Sequence, residues 1–256
     1  MLDPAVTIEG VLFDIDDTLV DTHGAFAEAL ALVARKYLPR LGPERYAELL
    51  GAWRADVGGH YRRYTSGEIG YHDQRMARAN ALHSEFGGTV LDAEEYQAWN
   101  EVFEAGFAAS WAAHPEALQV VDALIGAGLA VGALSNAAVA YQRTKLHHAG
   151  LGDRVEVLVG VDTLGVGKPD PRVFHEACRR LGPPPERTAY VGDELDIDAR
   201  AAVAAGLVGV WVNRPGLRAV DPADVAAARE AGVLVLESLA GLPGLLVPRA
   251  RSTGST

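Results

Sequence analysis

The sequence predicts an α/β fold, with a parallel sheet as its core and an inserted helical unit. From His114 onward, apolar runs alternate with helical patterns, which is typical of βαβ units in a parallel sheet. Between the first apolar run and His114, helical periodicity dominates and strand signals are scarce. Because one short strand cannot fold by itself, we expect the first run to join the later strands in one sheet.

The composition narrows the class of protein. With 256 residues, 49% of them hydrophobic, the chain can bury a sizeable core. A formal net charge of -11 argues against an extended nucleic-acid surface, which needs clustered Lys and Arg. Cys178 is the single cysteine, so no internal disulfide can form. No segment approaches the roughly 18 apolar residues that span a membrane. We therefore expect a cytoplasmic protein with no nucleic-acid or membrane partner.

The segment 21–113 is the predicted helical unit. Phe26 and Val33 follow one face of its first helix. Gly-containing breaks at residues 66–67 and 87–89 separate the later helices.

The remainder of the chain alternates between the two kinds of element. The predicted strands after the first cover residues 129–134, 155–159, 189–191, 208–212 and 233–236. The predicted helices between them include residues 138–149, 171–181 and 199–205. Asp170 is the expected N-cap of the second of these helices, with Pro171 in its first turn and Gly182 at its end.

Polar side chains stand where the apolar runs end. They are Asp14 with Asp16, Ser135, Lys168 and Asp193. In an open parallel sheet the carboxyl ends of all strands lie along one edge, where ligands bind at the topological switch point. Groups far apart in the sequence are therefore expected to converge there.

These residue types match the needs of phosphate ester hydrolysis. Asp14 is the expected nucleophile and Asp16 the expected proton carrier, provided their surroundings push their pKa values apart. Asp193 could join Asp14 in binding a divalent cation, and all-oxygen ligands favour Mg²⁺. Asp198, on the following helical turn, could orient a metal-bound water.

The phosphate group itself needs donors and a positive charge. Lys168 can pair with both Asp14 and the phosphate, and the Ser135 hydroxyl can bind a phosphate oxygen. We expect Ser135, Asn136 and Lys168 to bind substrate, and Ser135 and Lys168 to serve catalysis as well.

Each motif also has a plain structural interpretation. Residues 14–18 could be an acidic turn that caps a helix, and residues 135–136 could cap the next helix. Lys168 could be a solvated loop residue. The acidic residues in 193–198 could be a helix start favoured by the macrodipole.

Taken together, the motifs resemble those of the haloacid dehalogenase superfamily. The resemblance rests on four stretches, each after an apolar run: residues 13–19 (Phe-Asp-Ile-Asp-Asp-Thr-Leu), 134–136 (Leu-Ser-Asn), 167–171 (Gly-Lys-Pro-Asp-Pro) and 191–198, which opens with Val-Gly-Asp. It covers nearly the whole predicted sheet core.

The resemblance implies a Rossmann-like core with an inserted α-helical cap and a Mg²⁺-dependent aspartyl-phosphate mechanism. It implies that Asp16 helps to bind Mg²⁺ through its backbone carbonyl, which leaves its side chain free for proton transfer. In this family an acid two residues after the nucleophile accompanies phosphatases and phosphomutases, whereas dehalogenases usually lack it. Asp16 therefore favours phosphoryl chemistry.

The change from helical periodicity to alternating elements sets the expected boundaries: a catalytic core at residues 1–20 and 114–248 and a cap at 21–113. The last residues are small and polar, so we expect a disordered tail at 249–256. The expected partner is a small phosphorylated metabolite, such as a sugar phosphate or a nucleotide, and the expected state is a monomer or homodimer.

The cap segment 60–78 concentrates cations and aromatic residues in an acidic chain. Arg75 and Arg78 are three residues apart on one helical face, so both could contact an anionic substrate group. A solvated helix face above packed aromatic stems is the alternative.

Three functional alternatives remain at this stage. A phosphomutase would use the same core, a catalytically inactive protein could bind phosphate as a regulator, and a dehalogenase would release halide from a 2-haloacid.

Overall fold

The computed structural model describes residues 7–215 and 220–247. Its strands, numbered along the chain, are β1 (Gly10–Phe13), β2 (Ala130–Leu134), β3 (Val157–Val159), β4 (Thr188–Gly192), β5 (Val208–Val212) and β6 (Leu234–Leu236). They form one parallel sheet in the order β3-β2-β1-β4-β5-β6. The predicted α/β fold with a Rossmann-like core is confirmed.

Helices connect the strands and make up the inserted segment. They are α1 (Thr22–Tyr37), α2 (Tyr46–Ala55), α3 (His60–Thr65), α4 (Tyr71–Phe86), α5 (Ala93–Ala109), α6 (Ala117–Gly126), α7 (Val139–His148), α8 (Val161–Leu164), α9 (Pro171–Leu181), α10 (Ala201–Ala204), α11 (Pro222–Glu230) and α12 (Leu242–Leu246). Short 3₁₀ turns lie at Pro43–Arg45, Pro185–Arg187 and Leu239–Gly241, and a π-helical turn lies at Leu195–Arg200. None of the helices in the described ranges is long and apolar enough to cross a membrane.

Strand β1 lies at the centre of the sheet, and all four of its residues are buried. Val11 is in register with Val131 of β2 on one side and with Ala189 of β4 on the other. The chain runs from β1 outward through β2 and β3, then returns to β4 on the opposite side of β1. The strand order therefore reverses beside β1, which places the expected ligand-binding crevice at the end of that strand.

The described chain divides into two compact units. One comprises residues 7–20, 113–164, 168–215 and 220–247, and holds the sheet. The other comprises residues 21–112 together with Gly165–Gly167, a short loop that the sequence did not assign to it. That residues 21–113 act as a cap stays a prediction, and the predicted tail at 249–256 lies outside the described residues.

The all-helical unit is built around stacked aromatic rings. The Trp99 and Phe103 rings are 5.3 Å apart and nearly parallel, and the Phe26 and Phe107 rings are 4.4 Å apart. Phe26 lies on α1 and the other three on α5, so these rings join the two helices along one face. An Asp92–Glu95 capping box begins α5.

Local sequence signals predicted the positions of most of these helices and strands. Helix α9 spans the predicted residues, with Asp170 accepting a hydrogen bond from Arg172 N (2.9 Å) and Gly182 at its end. The predicted strand at 155–159 is shorter because Val155 N donates to Leu151 O in a turn. The predicted helix at 199–205 begins earlier, in the π-helical turn, where Ala199 N reaches Glu194 O.

Candidate active site

The ends of β1, β2 and β4 hold the predicted motif residues. Asp14 follows β1, and its backbone N–H donates to Val191 O (2.8 Å), which continues the pairing with β4. Ser135 follows β2, and its N–H donates to Val159 O of β3 (3.0 Å). Asp193 follows β4 directly. The backbone hydrogen bonds thus keep Asp14 and Ser135 in line with their strands.

Lys168 lies at the centre of the site and is buried. Its Nζ donates to Asp14 Oδ1 (2.6 Å), Asp198 Oδ1 (2.7 Å) and the Tyr190 hydroxyl oxygen (2.8 Å). The Tyr190 hydroxyl in turn donates to Leu134 O (2.9 Å). The interpretation of Lys168 as a solvated loop residue is therefore wrong, because three oxygen atoms take the place of water around its ammonium group.

Asn136 holds the loop that carries Lys168. Its Nδ2 donates to Lys168 O (3.0 Å), and its Oδ1 accepts from Lys168 N (2.6 Å). This side chain fixes the lysine backbone at two points. Its predicted contact with substrate stays a prediction, as does that of Ser135.

Residues 135–136 do not cap helix α7, so that structural interpretation is wrong. The N-cap of α7 is Ala138, which has no side-chain cap, and Val139 N is bound instead by Asp162 Oδ1 (3.0 Å). Ser135 Oγ accepts a hydrogen bond from Ala137 N at 3.3 Å.

Asp198 packs closely against the end of β4. Its Oδ2 accepts a hydrogen bond from Glu194 N (3.0 Å), and a Cβ atom at Gly192 would lie only 2.2 Å from that oxygen. Glycine at 192 is therefore needed for the carboxylate to reach Lys168. Asp196, by contrast, is exposed and pairs with Arg200 (2.6 Å), so this member of the acidic segment fits a plain helix-surface role.

Three buried carboxylates could hold a cation. Asp14, Asp193 and Asp198 each offer an oxygen, and these atoms all lie within 4.8 Å of one another. The set is oxygen only and carries three carboxylates against the single ammonium of Lys168, so a divalent ion such as Mg²⁺ fits both the donor chemistry and the charge. Asp198 was predicted to act through a metal-bound water, and its position also allows it to contribute an oxygen directly.

The crowding of carboxylates perturbs the proton affinities of the site. Burial raises the pKa of Asp14 to about 8; the ammonium of Lys168 opposes this shift, and the carboxylates of Asp198 and Asp16 add to it. Burial alone would lower the pKa of Lys168, but Asp14 and Asp198 raise it well above its ordinary value. Lys168 is therefore a permanent cation, and Asp14 needs further positive charge to be a carboxylate at neutral pH.

Asp16 has surroundings quite different from those of Asp14. Its side chain is 37% exposed, whereas that of Asp14 is 9% exposed. Lys145 Nζ lies 2.5 Å from Asp16 Oδ1, and Gln142 Nε2 donates to Asp16 Oδ2 (2.6 Å). The two carboxylates thus have separate partners on separate elements.

Lys145, Gln142 and Tyr190 are site residues that the sequence analysis missed. Lys145 and Gln142 are three apart on α7 and form most of its buried face. A helix whose inward positions are polar is the signal that could have found them. For Tyr190 the signal is a phenol hydroxyl in the middle of a buried strand.

A tight backbone turn follows Asp16. Asp17 has a φ of 58°, in the left-handed region, and its N–H donates to Val20 O (2.8 Å). Arg214 Nη2 donates to Thr18 O (3.2 Å) and pairs through Nη1 with Glu116 (2.6 Å). The helix α1 begins only at Thr22, capped by Asp21, so the interpretation of residues 14–18 as a helix cap is wrong.

Arg75 and Arg78 lie on helix α4 within the all-helical unit. Arg75 is buried, pairs with Glu104 (3.0 Å) and lies over the rings of Phe103 and Tyr71. Arg78 Nη2 donates to Trp53 O (2.6 Å). Both guanidinium groups are thus engaged with this unit's own residues, and their predicted contacts with substrate stay predictions.

The fold and this edge of the sheet define a hydrolase class, and comparison with known proteins agrees. A family model described as haloacid dehalogenase-like hydrolase matches residues 8–206, so the chain belongs to that family. Phosphoserine phosphatase of Thermus thermophilus is 41% identical over 109 residues, which is 43% of this chain and 43% of the relative. The matched part thus spans less than half of that relative.

Two further similarities extend over more of the chain. N-acetylmuramic acid 6-phosphate phosphatase of Pseudomonas aeruginosa is 30% identical over 75% of this chain and 76% of its own length. The structure of L-2-haloacid dehalogenase from Xanthobacter autotrophicus superposes with a TM-score of 0.73 at 21% identity, covering 95% of this chain and all of the other. The latter likeness concerns the fold alone.

Proposed function

We propose that this hydrolase is a Mg²⁺-dependent phosphatase that acts on a small phosphorylated metabolite through an aspartyl-phosphate intermediate. The observation that carries the proposal is the contrast between Asp14, buried against Lys168, and Asp16, partly exposed and bound by a second lysine. Two carboxylates in unlike surroundings suit two roles, nucleophile and acid. The phosphatase names of the relatives support the same class of reaction.

The proposed reaction has two steps. In the first, an Asp14 carboxylate oxygen attacks phosphorus, the bond from phosphorus to the leaving oxygen breaks, and that oxygen takes the proton of the Asp16 carboxyl group. In the second, water attacks the phosphorus and gives a proton to the Asp16 carboxylate. The bond from phosphorus to Asp14 then breaks, so that inorganic phosphate leaves and both residues return to their starting states.

The neighbouring groups act on charge and position. Lys168 holds Asp14 and would neutralise part of the phosphate charge, and the Ser135 hydroxyl can donate to a phosphate oxygen. Asp14, Asp193 and Asp198, with the backbone carbonyl of Asp16, would hold Mg²⁺, which would supply the remaining positive charge at the phosphate.

The direct test measures phosphate release from 4-nitrophenyl phosphate with Mg²⁺. Asp14→Asn keeps the shape of the side chain but removes the nucleophilic oxygen, and we expect turnover to fall at least about 10³-fold. Asp122→Asn, at an exposed aspartate paired with Arg154, is the matched control and should retain wild-type turnover. Undiminished turnover by Asp14→Asn would overturn the mechanism.

The identity of the substrate requires a panel of phosphorylated metabolites, tested on wild type and on Arg75→Ala and Arg78→Ala. A role in substrate binding predicts a raised KM in a variant that remains folded by circular dichroism. Isomer formation in excess of phosphate release would indicate a phosphomutase instead, and halide release from a 2-haloacid would indicate a dehalogenase. Binding of Mg²⁺ and phosphate without turnover of any substrate would favour the regulatory protein.

A further inference from the structure

The chain contains few lysines, and two of them lie at the same edge of the sheet. The sequence contains three lysines, Lys36, Lys145 and Lys168, among 23 basic residues. Lys36 is exposed, whereas Lys145 and Lys168 are both buried. Lys168 is accounted for by the nucleophile and its neighbours. Lys145, on helix α7, has no part in the proposed two-step reaction.

Lys145 and Gln142 bind the two oxygens of the Asp16 carboxylate separately. Lys145 Nζ takes Oδ1 at 2.5 Å and Gln142 Nε2 takes Oδ2 at 2.6 Å. A carboxylate held by one donor can rotate about its Cβ–Cγ bond, but two donors on different oxygens fix the plane of the group. Gln142 Nε2 also donates to Ser135 Oγ (2.8 Å), so the same amide joins Asp16 to the predicted phosphate-binding serine.

Burying the polar side chains of Lys145 and Gln142 lowers the stability of the fold. Lys145 and Gln142 are 2% and 0% exposed. An ion pair with a buried ammonium group often adds little stability compared with well-packed apolar residues, because the ammonium loses its water. Gln142 Oε1, moreover, has no hydrogen-bond partner in residues 7–215 and 220–247, and a buried acceptor without a partner destabilises the fold. Stability alone therefore does not account for polar residues at these two helix positions.

We infer that Lys145 and Gln142 are positioning residues that act through Asp16. They hold its carboxyl group in the orientation in which it passes a proton to the leaving oxygen. The inference rests on the proposed function, since it concerns the acid of that same reaction. Neither residue needs to touch the substrate, and Lys145 is not expected to change how tightly substrate binds.

The role predicts a dependence on the leaving group. A phenolate without electron-withdrawing groups departs poorly without a proton, whereas 4-nitrophenolate departs readily as an anion. Misplacing the acid should therefore slow phenyl phosphate much more than 4-nitrophenyl phosphate, although the two substrates have nearly the same shape. A merely structural defect would slow both alike.

The test compares Lys145→Met and Gln142→Leu with wild type on these two substrates. We expect kcat for phenyl phosphate to fall on the order of tenfold or more and kcat for 4-nitrophenyl phosphate to fall less than about threefold. The KM of Lys145→Met should remain near its wild-type value. Arg143→Met is the control, because Arg143 is a cation on the same helix that contacts only the backbone oxygen of Glu156 among the hydrogen bonds described (3.3 Å). Equal losses on both substrates, or none, would overturn the inference.

Combining each change with Asp16→Asn tests whether the loss of kcat depends on Asp16. If Lys145 acts through Asp16, then Lys145→Met should lower kcat no further once Asp16 is an asparagine. An additional loss of similar size in that background would contradict the inference, since it would mean that Lys145 acts on something else.

A measurement that needs no turnover separates this inference from the proposed function. With three lysines in the chain, selective ¹⁵N-lysine labelling gives three side-chain signals, and Lys145→Arg identifies the one from Lys145. We expect the Lys145 ammonium protons to exchange slowly with water in wild type and rapidly in Asp16→Asn. Slow exchange in both proteins would overturn the contact. Absent phosphatase activity in wild type, with this signal behaving as expected, would overturn the proposed function and the catalytic part of the inference while leaving the contact in place.

Discussion

Lys168 brings a single ammonium group against two carboxylates and a phenol hydroxyl, all of them buried. A charge in this position is stable only while its partners remain, because no water replaces a lost one. The neighbouring Asp14 has an excess of negative charge around it, since the nearby carboxylates outnumber the cations. The energetics of these two residues can be tested without substrate.

Replacing Lys168 by methionine should destabilise the protein strongly. The change leaves Asp14 and Asp198 close together without their shared cation, and breaking a buried pair costs about 3–5 kcal/mol. Lys36→Met, at an exposed lysine, should change the free energy of unfolding by less than about 0.5 kcal/mol. Urea unfolding at neutral pH in EDTA measures both variants, and similar losses for the two would contradict the assignment of Lys168.

The proton affinity of Asp14 predicts how stability depends on pH in metal-free protein. Its pKa of about 8 in the folded state lies above its ordinary value of 3.8, so the folded state binds the proton more tightly. The stabilisation is complete below the unfolded pKa and is lost as pH rises through the folded pKa. Asp14→Asn cannot ionise and avoids this loss. We expect it to gain stability relative to wild type between pH 5 and 9, by at most about 1.4 kcal/mol per pH unit.

The experiment is urea unfolding in EDTA at several pH values across that range. Parallel curves for wild type and Asp14→Asn would show that Asp14 is already ionised in the folded protein. Added Mg²⁺ should reduce the difference, because a bound cation favours the ionised carboxylate.

At the scale of elements, the site depends on how closely strand β5 approaches the π-helical turn that carries Asp198. A Cβ atom at Gly209 would lie 2.3 Å from Ala199 O, a backbone atom that cannot move without its helix. The neighbouring Trp211 Nε1 donates to Asp193 O (2.9 Å). Glycine at 209 is therefore required for the close contact between β5 and the π-helical turn. This contact positions Asp193 and Asp198.

Gly209→Ala should destabilise the protein by about 1–3 kcal/mol, because the extra methyl group forces the turn away from the strand. Gly126→Ala is the matched control: a Cβ atom there meets nothing within 4 Å, and alanine favours the helix end by up to about 1 kcal/mol. Thermal unfolding distinguishes the two. Equal effects would mean that the strand and the turn can separate without cost.

At the scale of the whole molecule, a ligand that binds the folded state stabilises it by mass action. Asp14 and Asp193 follow strands that adjoin only when the sheet is formed, and Asp198 lies in the π-helical turn after β4, so the unfolded chain offers no such site. Mg²⁺ at a hundred times its dissociation constant should therefore raise the free energy of unfolding by about 2.7 kcal/mol.

Asp193→Asn should remove most of this stabilisation, since it takes away one of the three buried carboxylates. Asp196→Asn, at an exposed residue three positions along the chain, should keep it. The measurement is the urea midpoint with Mg²⁺ and with EDTA. If Asp193→Asn responded to Mg²⁺ as wild type does, the cation would have to bind elsewhere.

The sequence by itself was sufficient for the parallel sheet and for the convergence of Asp14, Ser135, Lys168 and Asp193. Asp14, Ser135 and Asp193 directly follow apolar runs, and Lys168 lies in the connection after β3. The geometry of a parallel sheet brings the ends of its strands to one edge. The capped helix α9 was equally predictable, because its Asp-Pro start and Gly end are local signals.

Only the tertiary structure decided how these residues pair. Lys145 and Gln142 reach Asp16 across more than a hundred positions of sequence, and the direction in which a mostly polar helix faces depends on packing rather than on its own periodicity. Asn136 likewise has the appearance of a helix cap in the sequence but binds the backbone of Lys168. Strand ends are set by local patterns, whereas the partners of buried polar groups are set by which surfaces the folded chain brings into contact.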